Sequence, residues 1–98
     1  MMAEFLPEAE DEMMEAAVFY QEQADGLGER FLDDVEQATR LLSEQPLIGQ
    51  RIDNHLHRLL LQHFPFSLIY SLEPNEILII AVAHQRRRPD YWQERLRR

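Results

Sequence analysis

An unbroken apolar run, Ile77-Leu78-Ile79-Ile80-Ala81-Val82-Ala83, passes without a spacer into His84-Gln85-Arg86-Arg87-Arg88-Pro89-Asp90-Tyr91-Trp92. A strand with one wet face would alternate apolar and polar residues, so this run predicts a central strand that is covered on both faces. The strand ends in a histidine, three arginines and two aromatic residues, which places their chemistry at the edge of a sheet. Function is often found at such positions, because a rigid scaffold holds groups that remain accessible.

The composition is that of one globular domain over residues 1–98, large enough for a single core. Hydrophobic residues make up 45% of the chain, and there is no cysteine for a disulfide or a thiolate metal site. No apolar stretch approaches the roughly 20 residues of a membrane span. Met1-Met2-Ala3-Glu4 shows no secretory pattern, so we expect a cytoplasmic protein.

Charge is distributed unevenly along the chain. The formal net charge is −8, and residues 1–50 contain 13 acidic residues against two arginines. Residues 51–98 contain 5 acidic residues against 8 arginines, and lysine is absent throughout. An acidic half joined to a basic edge leaves the question of a nucleic-acid partner open.

Hydrophobic periodicity predicts two helices in the first half, after an extended segment over Ala3 to Leu6. Pro7 suits a first helical turn, the acidic residues that follow favour a helix start, and the apolar stripe continues to about residue 23. Asp25-Gly26-Leu27-Gly28 breaks this helix, and a second apolar stripe runs from Leu27 until Pro46 and Gly49 end it. The short break predicts an antiparallel helix hairpin.

The second half changes to apolar runs of strand length, at His55–Gln62, Phe66–Leu72 and Glu76–Ala83. Glu73-Pro74-Asn75-Glu76 is a turn, so the last two runs form a β-hairpin. Asp90 to Arg98 is predicted as a short terminal helix. The expected class is α+β, with a short N-terminal strand, an antiparallel helix hairpin packed on a small antiparallel sheet, and a short C-terminal helical segment. Because the hairpin covers only one face, the C-terminal segment, a second copy or another protein must cover the other.

An ordered set of motifs spans nearly the whole chain: Phe5 with Pro7-Glu8-Ala9, Tyr20, Leu27-Gly28-Glu29-Arg30-Phe31, Pro46 with Gly49, Arg58-Leu59-Leu60, Phe64-Pro65-Phe66 with Ile69-Tyr70, and the block from Val82 to Trp92. This set resembles the RelE/ParE superfamily of bacterial type II toxin–antitoxin toxins, and most closely its ParE-like branch, often called plasmid-stabilisation proteins. The resemblance implies a growth inhibitor silenced by a cognate antitoxin, which folds over the sheet and helices. ParE proteins poison DNA gyrase, whereas RelE-like proteins cut messenger RNA in the ribosome. No cofactor, small-molecule substrate or membrane partner is expected.

A nuclease function would need a base, a cation for the phosphorane charge and an acid for the leaving oxygen. The chain has no lysine, which excludes the lysine-using RelE-like chemistry. A substitute set is His84 as base or acid, Arg58 and Arg87 as phosphate clamps, and Tyr91 as acid or stacking platform. Arg58 shares a sheet face with Leu60, but the alternation does not say which face is open.

A target-binding function would use the basic block itself, through Arg86, Arg87, Arg88, Tyr91, Trp92 and Arg95. Each feature also has a structural interpretation, in which His84 caps the strand, the arginines neutralise the acidic helices, and Tyr91 and Trp92 pack the terminal segment on the sheet. His55, His57 and His63 lack a matching carboxylate cluster, so no metal site is predicted.

The acidity of the chain departs from the family pattern of basic toxins, and it disfavours a ribosomal RNA partner. A non-catalytic inhibitor of a protein target is therefore favoured over an endoribonuclease. A third hypothesis is a relative that binds an antitoxin but is no longer toxic.

Overall fold

The structure is a computed structural model that describes residues 1–97, in which two helices pack on a five-stranded mixed sheet. The predicted α+β class is confirmed. The elements in chain order are β1 (Ala3–Phe5), α1 (Pro7–Gln23), α2 (Leu27–Glu44), β2 (Gln50–Arg51), β3 (Leu56–Leu60), β4 (Phe66–Leu72), β5 (Ile77–His84) and a 3₁₀ helix (Gln93–Arg97). The strand order is β1-β5-β4-β3-β2. None of the helices within residues 1–97 is both long and apolar enough to cross a membrane.

The sheet differs from the prediction at its two edges. β1 pairs with β5 in parallel, with Ala3 opposite Ile77 and Phe5 opposite Ile79, so the sheet is mixed rather than antiparallel. The two-residue β2, which the sequence pattern missed, pairs with β3 at the other edge. The extended segment at Ala3 to Leu6 was predicted, but nothing in three residues indicates the direction of their pairing, and a strand of two residues is too short to show a period of two. The terminal helix begins at Gln93 rather than at Asp90 and has 3₁₀ geometry.

The helix hairpin follows the prediction, with α1 beginning at Pro7 and α2 beginning at Leu27. Gly28 lets the two helices approach closely, because an added Cβ would lie 2.5 Å from the carbonyl oxygen of Ala17. The side chain of Gln21 accepts hydrogen bonds from the backbone N–H groups of Gly26 and Gly28, at 3.1 and 3.2 Å. It thereby satisfies donors that the start of a helix leaves unbonded.

Both faces of the sheet carry an apolar cluster. The helix face is filled by side chains that include Phe31, Leu68 and Tyr70. The opposite face, called here the outer face, is built from residues of β3, β4 and β5, and Trp92 packs on it with only 4% of its surface exposed. Of the three covers that the sequence allowed, the C-terminal segment (residues 85–97) is the one that occupies this face.

A β-bulge shapes the middle of β5. Ile69 pairs with Ala81 and Tyr70 pairs with Ile79, so Ile80 is an extra residue without a partner in β4. Because of the bulge, Ile80 and Ala81 both belong to the outer-face cluster, although neighbouring residues of a regular strand point to opposite faces. The β1 strand ends at Phe5, so the second half of β5 continues past its neighbour.

Candidate functional site

One carboxylate, that of Glu12 in α1, ties the C-terminal segment to the rest of the protein. Glu12 Oε2 accepts a hydrogen bond from the Tyr91 hydroxyl at 2.6 Å and one from Arg95 Nη2 at 2.9 Å. Glu12 Oε1 accepts hydrogen bonds from Arg95 Nη1 and from the backbone N–H of Val82, both at 3.0 Å. Arg95 Nη1 also donates to the carbonyl of Ile80 at 2.9 Å. Four donors therefore converge on one side chain.

The Glu12–Arg95 pair takes the position beside β5 that a longer β1 would occupy. Backbone groups on the unpaired half of β5 need partners, and the pair provides them to the N–H of Val82 and the carbonyl of Ile80. The two side chains are only 15% and 14% exposed. Their hydrogen bond raises the pKa of Arg95, although burial acts in the opposite direction. Breaking such a pair leaves a poorly solvated charge and is costly.

Both the hydroxyl and the ring of Tyr91 already make contacts within the protein. The guanidinium carbon of Arg87 lies 3.8 Å from the ring centroid, and that of Arg95 lies 5.2 Å from it. Burial, followed by the hydrogen bond to Glu12 and the negative charge of Glu12, raises the pKa of Tyr91 above its usual value. The hydroxyl therefore stays protonated and points at Glu12, and Arg87 lies over the ring that a nucleic-acid base would need for stacking.

A pocket of about 260 Å³ opens between the C-terminal segment and the outer face of the sheet. This basic pocket has a cationic wall, with Arg58, Arg87 and Arg88, and an apolar wall, with Ile52 and Leu60. His84, Tyr91 and the acidic Asp90 also line it. It answers the question that the alternation left open, because Arg58 and Leu60 lie on the outer face beside the C-terminal segment. All four residues of the nuclease hypothesis meet at this one pocket.

The residues of the target-binding hypothesis separate into two groups. Arg86, Arg87 and Arg88, called here the arginine edge, are exposed at the surface. Trp92 is buried against the outer face, and Tyr91 and Arg95 are held by Glu12, so these three residues anchor the segment that carries the edge.

His84 organises the turn that leads from β5 into the arginine edge. Its Nδ1 accepts a hydrogen bond from the backbone N–H of Arg86 at 3.0 Å. Its carbonyl accepts another from the N–H of Arg87, also at 3.0 Å. The ring makes an edge contact with Phe66, with centroids 5.0 Å apart.

The other histidines do not gather. His57 is buried and stacks on Tyr70, with ring centroids 5.4 Å apart, and the backbone N–H of His63 donates to Asp34 at 2.8 Å. Within residues 1–97 no three His, Asp or Glu side chains form a group that could hold a metal ion.

Sequence reasoning missed Glu12, to which it gave only the role of an acidic residue near a helix start. The signal was present in its position. Glu12 lies three residues after Ala9 and four before Ala16, both of which are buried, so it belongs to the inward side of α1. An acidic residue within the apolar stripe of a helix needs a partner, and a basic C-terminal block could supply one.

The comparisons with known proteins agree with this fold. A family model described as the ParE toxin of the type II toxin–antitoxin system, parDE, matches residues 3–89. That range includes Glu12, Arg58 and the arginine edge, and it ends before Tyr91 and Arg95. Among solved structures, the chain is similar to one titled "Chromosomal ParDE TA system from P. aeruginosa", with a TM-score of 0.62 and 17% identity over 86% of this chain and 95% of that chain. At this identity the likeness concerns the fold. No curated protein matches the chain.

Proposed function

Since this chain belongs to the ParE toxin family of type II toxin–antitoxin systems, we propose that it inhibits growth by binding a protein target in the cytoplasm, namely DNA gyrase, and that a cognate antitoxin neutralises it. The observation that carries the proposal is the arginine edge. Within residues 1–97, the ion pairs are Arg40 with Glu36 and Arg95 with Glu12, so no acidic side chain neutralises this edge. Exposed, unpaired cations on a protein of net charge −8 are well suited to recognising a partner.

An antitoxin would find apolar surface on the helices. α1 exposes Met14, Val18 and Phe19, which are 47%, 56% and 56% accessible. A groove of about 390 Å³ lies between the helices and β1, with Phe5 and Leu32 in its lining. Exposed apolar surface of this kind supports the proposal that an antitoxin covers the helices, as the family membership suggests.

A ribosome-dependent endoribonuclease is the second candidate, because Arg58, His84, Arg87 and Tyr91 share the basic pocket. It ranks second because the Tyr91 hydroxyl would have to leave Glu12 before it could protonate a leaving oxygen. Binding of a protein target requires no such rearrangement.

The test is to induce the protein in a bacterial host without antitoxin and to label DNA and protein synthesis separately. A triple variant with Arg86, Arg87 and Arg88 replaced by glutamine is compared with a charge-matched triple at the exposed Arg30, Arg40 and Arg51. We expect DNA synthesis to fall first with the native chain and the charge-matched control, with gyrase-linked breaks, and not with the edge variant.

Early loss of protein synthesis would instead favour the endoribonuclease. Continued growth with soluble, folded protein would identify a relative that binds an antitoxin without being toxic.

A further inference from the structure

The basic pocket is too small for a large ligand and is shaped to take side chains. Its volume is about 260 Å³. Small-molecule pockets in proteins usually enclose about 300–1,000 Å³, so this one suits one or two protruding side chains better than a nucleotide or a drug-sized molecule.

The cationic wall of the pocket has unused hydrogen-bonding capacity. Arg58 Nη2 donates to the neutral side chain of Gln50 at 3.1 Å, and the guanidinium carbon of Arg87 lies 3.8 Å from the centroid of the Tyr91 ring. A guanidinium that stacks on an aromatic ring keeps its N–H groups at the edge of the plane, where they can bind a carboxylate bidentately. Neither guanidinium takes part in an ion pair within residues 1–97.

The apolar wall lies beside these cations. Leu60 is 58% exposed and Ile52 is 38% exposed, although both line the pocket. Aliphatic side chains at a rim of this kind gain by burial against an apolar partner, by about 25 cal/mol for each Å² removed from water.

The surroundings favour a polypeptide over a nucleic acid. Glu15 lines an adjoining cavity together with His84 and Arg87. A phosphate backbone is charged at every nucleotide and would be repelled there if it continued past the pocket, whereas a polypeptide can confine its acidic residues to the pocket. Tyr91, the one aromatic ring that a base could stack on here without displacing the segment, is already covered by Arg87.

We infer that the basic pocket binds an acidic, extended segment of a protein partner, with a carboxylate between Arg58 and Arg87 and a neighbouring apolar side chain against Ile52 and Leu60. The inference rests on the proposed binding of a protein target and states the chemistry of the segment that is recognised. Glu12 positions the site, because it holds Tyr91, and Tyr91 supports the guanidinium of Arg87. A side chain held in place before binding loses less entropy when the partner arrives.

The experiment is an NMR titration of the full-length ¹⁵N-labelled chain that follows the arginine Nε–H signals. The probe is the blocked peptide acetyl-Gly-Asp-Leu-Glu-Gly-amide, compared with its uncharged counterpart acetyl-Gly-Asn-Leu-Gln-Gly-amide. We expect the acidic peptide to shift the signals of Arg58 and Arg87, and the uncharged peptide to bind about tenfold more weakly or worse, since one charge-assisted contact is worth about that factor.

Matched variants localise the binding. Arg58→Gln and Arg87→Gln should each weaken the acidic peptide by about tenfold, whereas Arg51→Gln, which removes the same charge outside the pocket, should leave it unchanged. Leu60→Ser should also weaken it, and Leu47→Ser, at an exposed leucine outside the pocket, should not.

Equal binding of the two peptides, no shift at millimolar peptide, or tighter binding of a short RNA of the same charge would overturn the inference. A chain that arrests DNA synthesis but ignores the acidic peptide would refute the pocket inference and leave the proposed function intact. A chain that binds the peptide but arrests nothing would refute the proposed function and retain the chemistry of the pocket.

Discussion

Replacing Glu12 with glutamine should release the C-terminal segment, because the variant keeps the shape of the side chain and removes its charge. Arg95, which is only 14% exposed, would then lose its ion-pair partner. Removing one member of a buried ion pair costs about 3–5 kcal/mol. Since both side chains retain some contact with water, we expect a cost below that range, about 2–3 kcal/mol. A domain of this size is stabilised by only about 5–15 kcal/mol in total, so the loss is large.

The loss should appear as a lower melting temperature and as early opening of the segment. A change of 1 kcal/mol shifts the melting temperature of a small domain by about 4–8 °C, which predicts a decrease of about 10–20 °C. Trp92 is the single tryptophan of the chain and lies in the segment, so its fluorescence reports the segment directly. In urea, we expect the fluorescence of Glu12→Gln to change before its far-ultraviolet circular dichroism.

Glu15→Gln is the control, because it makes the same charge change at an exposed position on the same helix. If Glu12→Gln had the same melting temperature as Glu15→Gln, and if its fluorescence and circular dichroism changed together in urea, the Glu12 carboxylate would not be what holds the segment, and the reasoning would fail.

Three further substitutions test other parts of the structure. The pKa of Tyr91 is raised above its usual value of 10.0 in the folded protein, so its proton stabilises the fold fully below about pH 10 and less at higher pH. In alkaline solution the free energy of unfolding of the native chain should therefore fall more steeply with pH than that of Tyr91→Phe. Parallel curves for the two proteins would contradict this. Trp92→Ala should cost about 3–5 kcal/mol in urea unfolding and increase binding of a hydrophobic dye, because it uncovers the outer face. Gly28→Ala should lower the free energy of unfolding by about 1–3 kcal/mol, and with it the melting temperature, because the added methyl group overpacks against Ala17 even though alanine is the better helix former. A higher melting temperature would show that the two helices can move apart to accommodate the methyl group.

The helices could be predicted from the sequence because the residues that begin and end each helix are recognisable locally. Pro7 marks the first turn of α1, and the break at residues 25–28 separates two apolar stripes. These signals are local, so they do not depend on how the rest of the chain folds. The β4–β5 hairpin was predictable for the same reason, since its turn residues lie between two long apolar runs.

The edges of the sheet and the bulge could not be predicted, because their signals are not local. β1 was predicted as a short extended segment, but its parallel pairing with a strand more than seventy positions away has no local signal. The bulge at Ile80 depends on the register between β4 and β5. A continuous apolar run accepts any register, which is why the sequence left both faces of β5 equivalent.

The candidate site was predictable in its composition but not in its geometry. The arginine edge follows from its position after a buried strand. The meeting of Arg58 with Arg87 depends on which face of β3 is open, and the C-terminal segment decides that by covering the outer face with Trp92. The dependence on Glu12 is a contact across 83 positions of sequence, to Arg95, and no spacing rule reaches that far.

The separation of charge along the chain survives folding, and this bears on how a partner can be recognised. Within residues 1–97, Glu12 with Arg95 is the one ion pair that joins the acidic helices to the basic C-terminal half. The molecule therefore keeps a basic edge on a body of net charge −8. At physiological salt the screening length is about 8 Å, so an acidic segment is repelled by the body only when it approaches close to the helices. An approach to the arginine edge meets attraction first, because the nearest charges are the unpaired guanidinium groups. The same charge pattern that disfavours an extended nucleic acid thus directs a short acidic segment to one place, and the Glu12 carboxylate, by binding both Tyr91 and Arg95, keeps that place fixed.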